Sequence, residues 1–127
     1  MKKYPILALL FCTILLVSCK KEKTELRGEW LLVEVSYDPG DGSGSFEPVS
    51  STKTLHFSNG SISSNGDLCS LSAEVGFTTA GTYNLADSII TGDCIYGGLP
   101  ITFEHNGNEL IVNYPYLENC RAKYVKQ

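Results

Sequence analysis

Cys19 is the residue whose surroundings indicate chemistry most clearly. It follows an apolar run of twelve residues, Ile6–Val17, and the small residue Ser18, and charge begins at once in residues 20–23. The run is shorter than the roughly 20 residues that a helix needs to cross a bilayer. It fits the apolar stretch of a secretory signal, which two lysines near the N-terminus precede. A thiol at this point would lie at the membrane surface once the apolar run has inserted.

The segment Leu16-Val17-Ser18-Cys19 resembles the lipobox of bacterial lipoproteins. The resemblance implies that residues 1–18 are removed as a signal peptide and that Cys19 carries acyl chains. Two or three such chains anchor a protein stably, whereas one binds only marginally. Residues 19–25 then form the lipidated cysteine and a charged tether. Lys20 resembles an outer-membrane sorting signal, and the basic tether favours a domain that faces the periplasm.

Three cysteines remain once Cys12 has left with the signal and Cys19 has been acylated. An exported domain meets oxidising conditions, so we expect at least one disulfide among Cys69, Cys94 and Cys120. Alternating strand directions bring all three to one rim of the fold, and all three pairings stay open. We favour Cys69–Cys94, because both cysteines lie on connections that can bring their Cα atoms within about 7 Å. It would close a loop of about 25 residues, which the chain-entropy model credits with roughly 3 kcal/mol.

Oxygen-bearing side chains recur near the loop of residues 38–45. Asp38, Asp41, Ser43 and Glu47 have a spacing at which oxygens could ligate Ca²⁺, but they lack the loop signature of an EF-hand. Glycine and serine dominate the residues between them. We therefore interpret the segment as a solvated loop and expect no metal site.

The rest of the chain carries no recognisable catalytic motif. His56 and His105 have no cysteine or histidine at zinc spacing, and no nucleophile elbow or phosphate loop is present. The signal contains two of the ten basic residues and none of the 14 acidic ones, which leaves the mature chain with a net charge of −6. An acidic domain with no basic cluster beyond its tether argues against nucleic-acid binding. We expect a non-enzymatic protein without a cofactor.

Short β-strands account for nearly all of residues 26–127. Glycine, serine, asparagine and aspartate recur at short intervals, as expected for strands joined by turns. A longer connection after the third strand carries Cys69 and Phe77. The strands are predicted at residues 29–37, 54–57, 61–64, 81–85, 89–93, 99–105, 109–114 and 120–125.

Eight consecutive antiparallel strands predict an all-β, small up-and-down barrel. A two-sheet sandwich is the rival architecture, and the pattern separates the two poorly. Alternation places one set of apolar side chains inside, either around a cavity or in a solid core. The set comprises Leu55, Phe57, Tyr83, Leu85, Ile101, Phe103, Leu110, Val112 and Tyr114.

The opening Leu26-Arg27-Gly28-Glu29-Trp30 resembles the Gly-x-Trp signature of lipocalins. The whole of residues 26–127 is similar to the lipocalin-like lipoproteins of Bacteroidota. Further motifs in that order are Phe57-Ser58-Asn59-Gly60, Gly81-Thr82-Tyr83 and the closing segment 118–124. The resemblance implies an eight-stranded lipocalin-like barrel.

The same resemblance assigns roles to particular residues. Gly28 admits a close backbone approach, and Trp30 closes one end of the barrel. A basic side chain from the last strand, Arg121 or Lys123, stacks over that tryptophan as a cation–π contact. Four aromatic residues are candidates for the lining of a ligand cavity: Phe57, Tyr83, Phe103 and Tyr114.

Two functions follow as expectations. The first is a membrane-anchored lipocalin-like lipoprotein that binds a small apolar ligand in the cell envelope. The alternative is an envelope protein-interaction or inhibitor module with a solid barrel core, acting through the loop at residues 38–50 and the cysteine-bearing rim. The membrane, reached through the lipid anchor, is a partner in both.

Overall fold

The computed structural model describes residues 25–92, 100–115 and 119–127. Cys19 with the signal and residues 20–24, and also Cys94, lie outside the described residues. In the described part no helix is long and apolar enough to cross a membrane. The described residues form nine strands: β1 Gly28–Tyr37, β2 Phe46–Pro48, β3 Thr54–Ser58, β4 Ser61–Gly66, β5 Val75–Asn84, β6 Ile89–Gly92, β7 Ile101–Asn106, β8 Glu109–Pro115 and β9 Asn119–Lys126.

Eight of these strands close into an up-and-down antiparallel barrel, as predicted. From β3 to β9 each strand pairs with the next, β1 pairs with β3, and β9 returns to pair with β1. The tight turn between β3 and β4 is formed by Asn59 and Gly60, at φ angles of 48° and 85°. Asparagine and glycine tolerate these positive angles, which two-residue hairpin turns require.

Side chains that alternate between the two faces of each strand form the core inside the barrel. Leu110, Val112 and Tyr114 of β8 are buried while the residues between them are partly exposed. The same period in the other strands fills the barrel with apolar side chains, of which Trp30 and Tyr124 are the largest fully buried. Of the nine residues predicted to point inward, seven are buried and Tyr83 is partly buried.

The ninth, Leu85, is a wrong prediction, because its side chain is 65% exposed. Strand β5 ends at Asn84, whose side-chain oxygen accepts a hydrogen bond from the amide of Ala86 at 2.8 Å. Ser88 has a positive φ of 57° and completes the turn. The chain therefore leaves the sheet one residue before the alternation would turn Leu85 inward.

Two further strand predictions need correction. Phe77 lies in β5, which begins at Val75 and not at Gly81. Its first residues, Val75 to Thr78, are all exposed and show no alternation that could indicate a strand. The short β2 was not predicted at all; it pairs with Glu34–Ser36, where β1 has passed beyond its pairing with β3.

The barrel has two different ends. One end, here named the terminal rim, consists of residues 25–28, the turns at 59–60, 85–88 and 107–108, and residues 126–127. The opposite end, named the far rim, carries the connection at residues 67–74. Both termini of the described chain therefore lie at the same end of the barrel.

Candidate ligand-binding cleft

A cleft of about 840 Å³ opens at the terminal rim. The N-terminal segment forms one wall, the β5–β6 turn forms another, and the β3–β4 turn lies between them. The lining residues are Glu25, Leu26, Arg27, Asn59, Gly60, Tyr83, Asn84, Leu85, Ala86 and His105.

Trp30 lies directly behind two residues of this lining. Its side chain is fully buried, and its indole Nε1 donates a hydrogen bond to the carbonyl of Leu26 at 2.7 Å. The ring of His105 meets it edge to face, with 5.3 Å between centroids. A buried tryptophan whose N–H is satisfied is a stable support for the cleft wall.

Lys126 joins the first and the last residues of the described barrel behind the cleft. Its ammonium lies 5.0 Å from the centre of the Trp30 ring, within cation–π distance. The same ammonium donates to the carbonyl of Glu25 at 2.9 Å and to the carbonyl of Arg27. A Cβ atom on Gly28 would come within 2.7 Å of the Lys126 Nζ, so glycine makes room for this contact.

The prediction that Arg121 or Lys123 covers Trp30 is therefore wrong. Both cations lie over the ring of Phe46, at 4.9 and 4.5 Å from its centre, and Lys123 also pairs with Glu34 at 2.7 Å. Their side chains alternate with the buried residues of β9, and so they point to the other face of the sheet. Lys126 lies an even number of residues from those buried residues, so its side chain points to the same face of β9. It is also paired in register with Trp30.

The four predicted cavity residues do not form one group. Phe57 meets Tyr83 edge to face, with 5.0 Å between ring centroids, and lies 6.1 Å from Phe103. Tyr114 is near the far rim, where it pairs in register with Cys120. Of the four, Tyr83 alone lines the described cleft.

The cleft combines apolar surface with a few polar groups. Leu26, Tyr83 and Leu85 supply carbon surface, and the exposed Leu85 stands at the mouth. The amides of Asn59 and Asn84 and the ring of His105 add polar groups. A mostly apolar concavity with few polar groups is the usual form of a small-molecule site.

The far rim is covered by the connection at residues 67–74. Leu68 and Leu71 of this segment are buried against the barrel. Lys53 holds it in place, since its ammonium donates to the carbonyls of Ser70 at 2.9 Å and Ser72 at 2.8 Å. Burial lowers the pKa of Lys53 to about 8, although the charge of Asp67 acts in the opposite direction.

The cysteines are resolved in part. Cys69 lies in the far-rim segment, and Cys120 is buried near the start of β9 at the same end of the barrel. Cys94 lies outside the described residues, so the pairing of Cys69 with Cys94 stays a prediction. The lipidation of Cys19 stays one for the same reason.

In the acidic loop after β1, the carboxylates accept hydrogen bonds from backbone amides of the same loop. Asp38 accepts hydrogen bonds from the amides of Gly40 and Gly42, and Asp41 accepts one from the amide of Ser43. Hydrogen bonds from the side chain and the amide of Ser43 lower the pKa of Asp41. Among the described residues no group of three or more histidines, cysteines and carboxylates could hold a metal ion.

Comparisons with protein-family models, with curated proteins and with solved structures found no match to this chain. The cleft must therefore be interpreted from its own geometry.

Sequence reasoning missed most of the residues that form the cleft. Leu26, Asn59, Asn84 and His105 come from four separate segments, and nothing local indicates that they meet. Lys126 did carry a signal, because it continues the alternation of Ala122 and Tyr124 on the buried face of β9. Counting that period to the last strand residue would have found it.

Proposed function

We propose that this protein is a non-enzymatic, lipocalin-like lipoprotein, anchored through Cys19, that binds a small apolar molecule at the terminal rim. The observation that carries the proposal is the cleft of about 840 Å³, with Leu85 exposed at its mouth. A leucine side chain left in water forgoes about 1.5–3 kcal/mol of burial free energy, which a bound apolar ligand would recover.

The surroundings of the cleft support binding at this end. Leu68 and Leu71 of the 67–74 segment cover the far rim, whereas the terminal rim carries the concavity. Behind the cleft, Trp30 is locked by a hydrogen bond to Leu26 and by the ring of His105. A rigid support behind the wall lowers the entropic cost of ordering the site when a ligand binds.

A fluorescent apolar probe tests the proposal. N-phenyl-1-naphthylamine brightens in apolar surroundings, and we expect it to bind the full chain in mild detergent with saturable affinity. Replacing Leu85→Ser should weaken binding about tenfold, because it removes apolar contact at the mouth of the cleft. The matched control is Phe77→Ser, which removes an exposed aromatic near the far rim and should leave binding unchanged. Equal losses in both variants would contradict binding at the cleft.

A second candidate function is an envelope protein-interaction module. Three exposed apolar side chains away from the cleft favour it: Tyr37, Val75 and Phe77. Cross-linking in intact envelopes would test it, with Phe77→Ser reducing the yield of a partner adduct and Leu85→Ser leaving the yield unchanged. The opposite pattern would contradict this second function.

We further propose outer-membrane anchorage with the barrel facing the periplasm, and a disulfide between Cys69 and Cys94. Cys69 lies in the far-rim segment, and β6, the strand that precedes Cys94 in the chain, ends at the same rim, which supports this pairing. Peptide mass mapping without reductant should recover the two cysteines in one cross-linked fragment. A fragment that joins Cys120 to either of them would contradict the assignment.

A further inference from the structure

The position of the cleft relative to the anchor is a feature that the proposed function leaves unexplained. Glu25, the first described residue, is itself part of the cleft wall. Cys19 precedes it by six residue steps, and each step spans at most about 3.3–3.6 Å, so the anchor lies within roughly 20 Å of the cleft. The cleft therefore stays within reach of the membrane surface in every orientation of the barrel.

Leu85 adds a second observation at the same rim. It is the most exposed large apolar side chain of the described residues, and it lies on the β5–β6 turn. The other large exposed apolar side chains, at Tyr37, Val75 and Phe77, belong to the far half of the barrel. An apolar side chain at the anchored end can enter the interfacial layer of a bilayer, where its burial is favourable.

The charges around the terminal rim are of both signs and therefore do not favour one kind of lipid head group. Glu25 and Asp87 stand there beside Arg27 and Lys126, and the Lys126 ammonium is already bound by two carbonyl groups. Carbon surface makes up most of the cleft lining, chiefly at Leu26, Tyr83 and Leu85. Recognition therefore falls on the hydrocarbon chain of a lipid.

We propose that the terminal rim faces the membrane that holds Cys19 and that the cleft takes up one acyl chain of a phospholipid from that membrane. This inference rests on the proposed function and names its ligand. The short tether raises the effective concentration of membrane lipid at the cleft, as short linkers do for any tethered pair.

Trp30 provides the test, because it is the only tryptophan of the chain and lies behind the cleft. The full lipidated chain is placed in phosphatidylcholine vesicles whose acyl chains carry bromine atoms near their ends. Bromine quenches tryptophan fluorescence only at short range. A chain that stays in the bilayer keeps its bromine far from the buried indole, whereas a chain in the cleft brings it close. We expect quenching of at least twofold relative to vesicles without bromine.

Two variants and one insertion make the test specific. Leu85→Asp places a charge at the mouth of the cleft and should abolish most of the quenching. Phe77→Asp adds the same charge near the far rim and should retain it. Inserting about 20 Gly and Ser residues after Lys23 lengthens the tether and should reduce the quenching, because effective concentration falls with linker length. Equal quenching in all four proteins would overturn the inference.

A brominated fatty acid added from solution separates the two proposals. If it quenches Trp30 while the bilayer lipid does not, uptake from the membrane is overturned and ligand binding stands. The same measurements are made on Cys19→Ser, which lacks the acylated cysteine. If neither probe quenches Trp30 in the anchored chain or in this variant, both proposals are overturned. Quenching that appears only in Cys19→Ser would mean that the chain's own anchor fills the cleft, which also overturns uptake from the membrane.

Discussion

The ammonium of Lys126, the last residue of β9, lies 5.0 Å from the centre of the Trp30 ring. The two residues are register partners in β9 and β1. The lysine also holds the carbonyls of Glu25 and Arg27. One side chain thus joins both termini of the described chain and covers the tryptophan behind the cleft.

Replacing Lys126→Met should destabilise the fold by about 1–3 kcal/mol. The variant keeps the apolar stem but loses the cation–π contact and leaves two carbonyls without their donor. Urea unfolding measures the loss, and the emission of Trp30 should shift with it. Arg121→Met is the matched control, since its cation lies over Phe46 and its loss should leave the Trp30 emission unchanged. A shift in the control alone would contradict the assignment.

Gly28→Ala should destabilise the protein by about 2–3 kcal/mol. Gly28 has a φ of 119°, which strains any other residue, and a Cβ atom there would displace the Lys126 ammonium. Gly76→Ala shares the backbone strain, at a φ of 113°, but its Cβ would meet nothing within 4 Å. The difference in unfolding free energy between the two variants measures the loss of the Lys126 contacts. Equal costs would show that those contacts contribute nothing.

Stability should rise with pH from about 8 to 10 and fall above 10. Lys53 has a pKa of about 8 when folded and 10.5 when unfolded, so between these values the unfolded chain binds the extra proton. Raising the pH through this window therefore favours the folded state, by on the order of 2 kcal/mol. Burial raises the pKa of Tyr124 above its ordinary 10.0, so the folded state keeps a proton that the unfolded chain loses above pH 10.

Urea unfolding between pH 7 and 11 checks this profile. Lys53→Met should remove the rise between pH 8 and 10, and Tyr124→Phe should remove the decline above pH 10. A rise that persists in Lys53→Met would assign the effect to another group.

Lys53→Met should also loosen the cover of the far rim. The variant leaves the partly buried carbonyls of Ser70 and Ser72 without their charged donor, and each lost hydrogen bond costs on the order of 1 kcal/mol. We expect amide exchange at Leu68 and Cys69 to accelerate at least tenfold. The amides of Ile111 and Val112 in β8 serve as the internal control and should not change. Uniform acceleration in both places would indicate global destabilisation instead.

Local patterns were sufficient for most of the barrel wall. Strand β8 was predicted to within one residue because its alternation repeats every second residue, and the Asn59-Gly60 turn because of its conformational preferences. The candidate site was much less predictable. Tyr83 was expected to face a cavity, but Leu26, Asn59 and His105 reach the cleft from segments with no pattern in common.

The sequence by itself determined that this chain is all-β, where most strands and turns lie and which side chains are apolar on one face. These properties depend on residues a few positions apart. Only the tertiary structure decided that Lys126 rather than Arg121 covers Trp30, and that Lys53 is buried. The register between strands and the acceptors at Ser70 and Ser72 bring together groups far apart in the chain. The alternation of β9 indicates which way Lys126 points, but its contact with Trp30 and the acceptors of Lys53 are fixed only when the barrel closes.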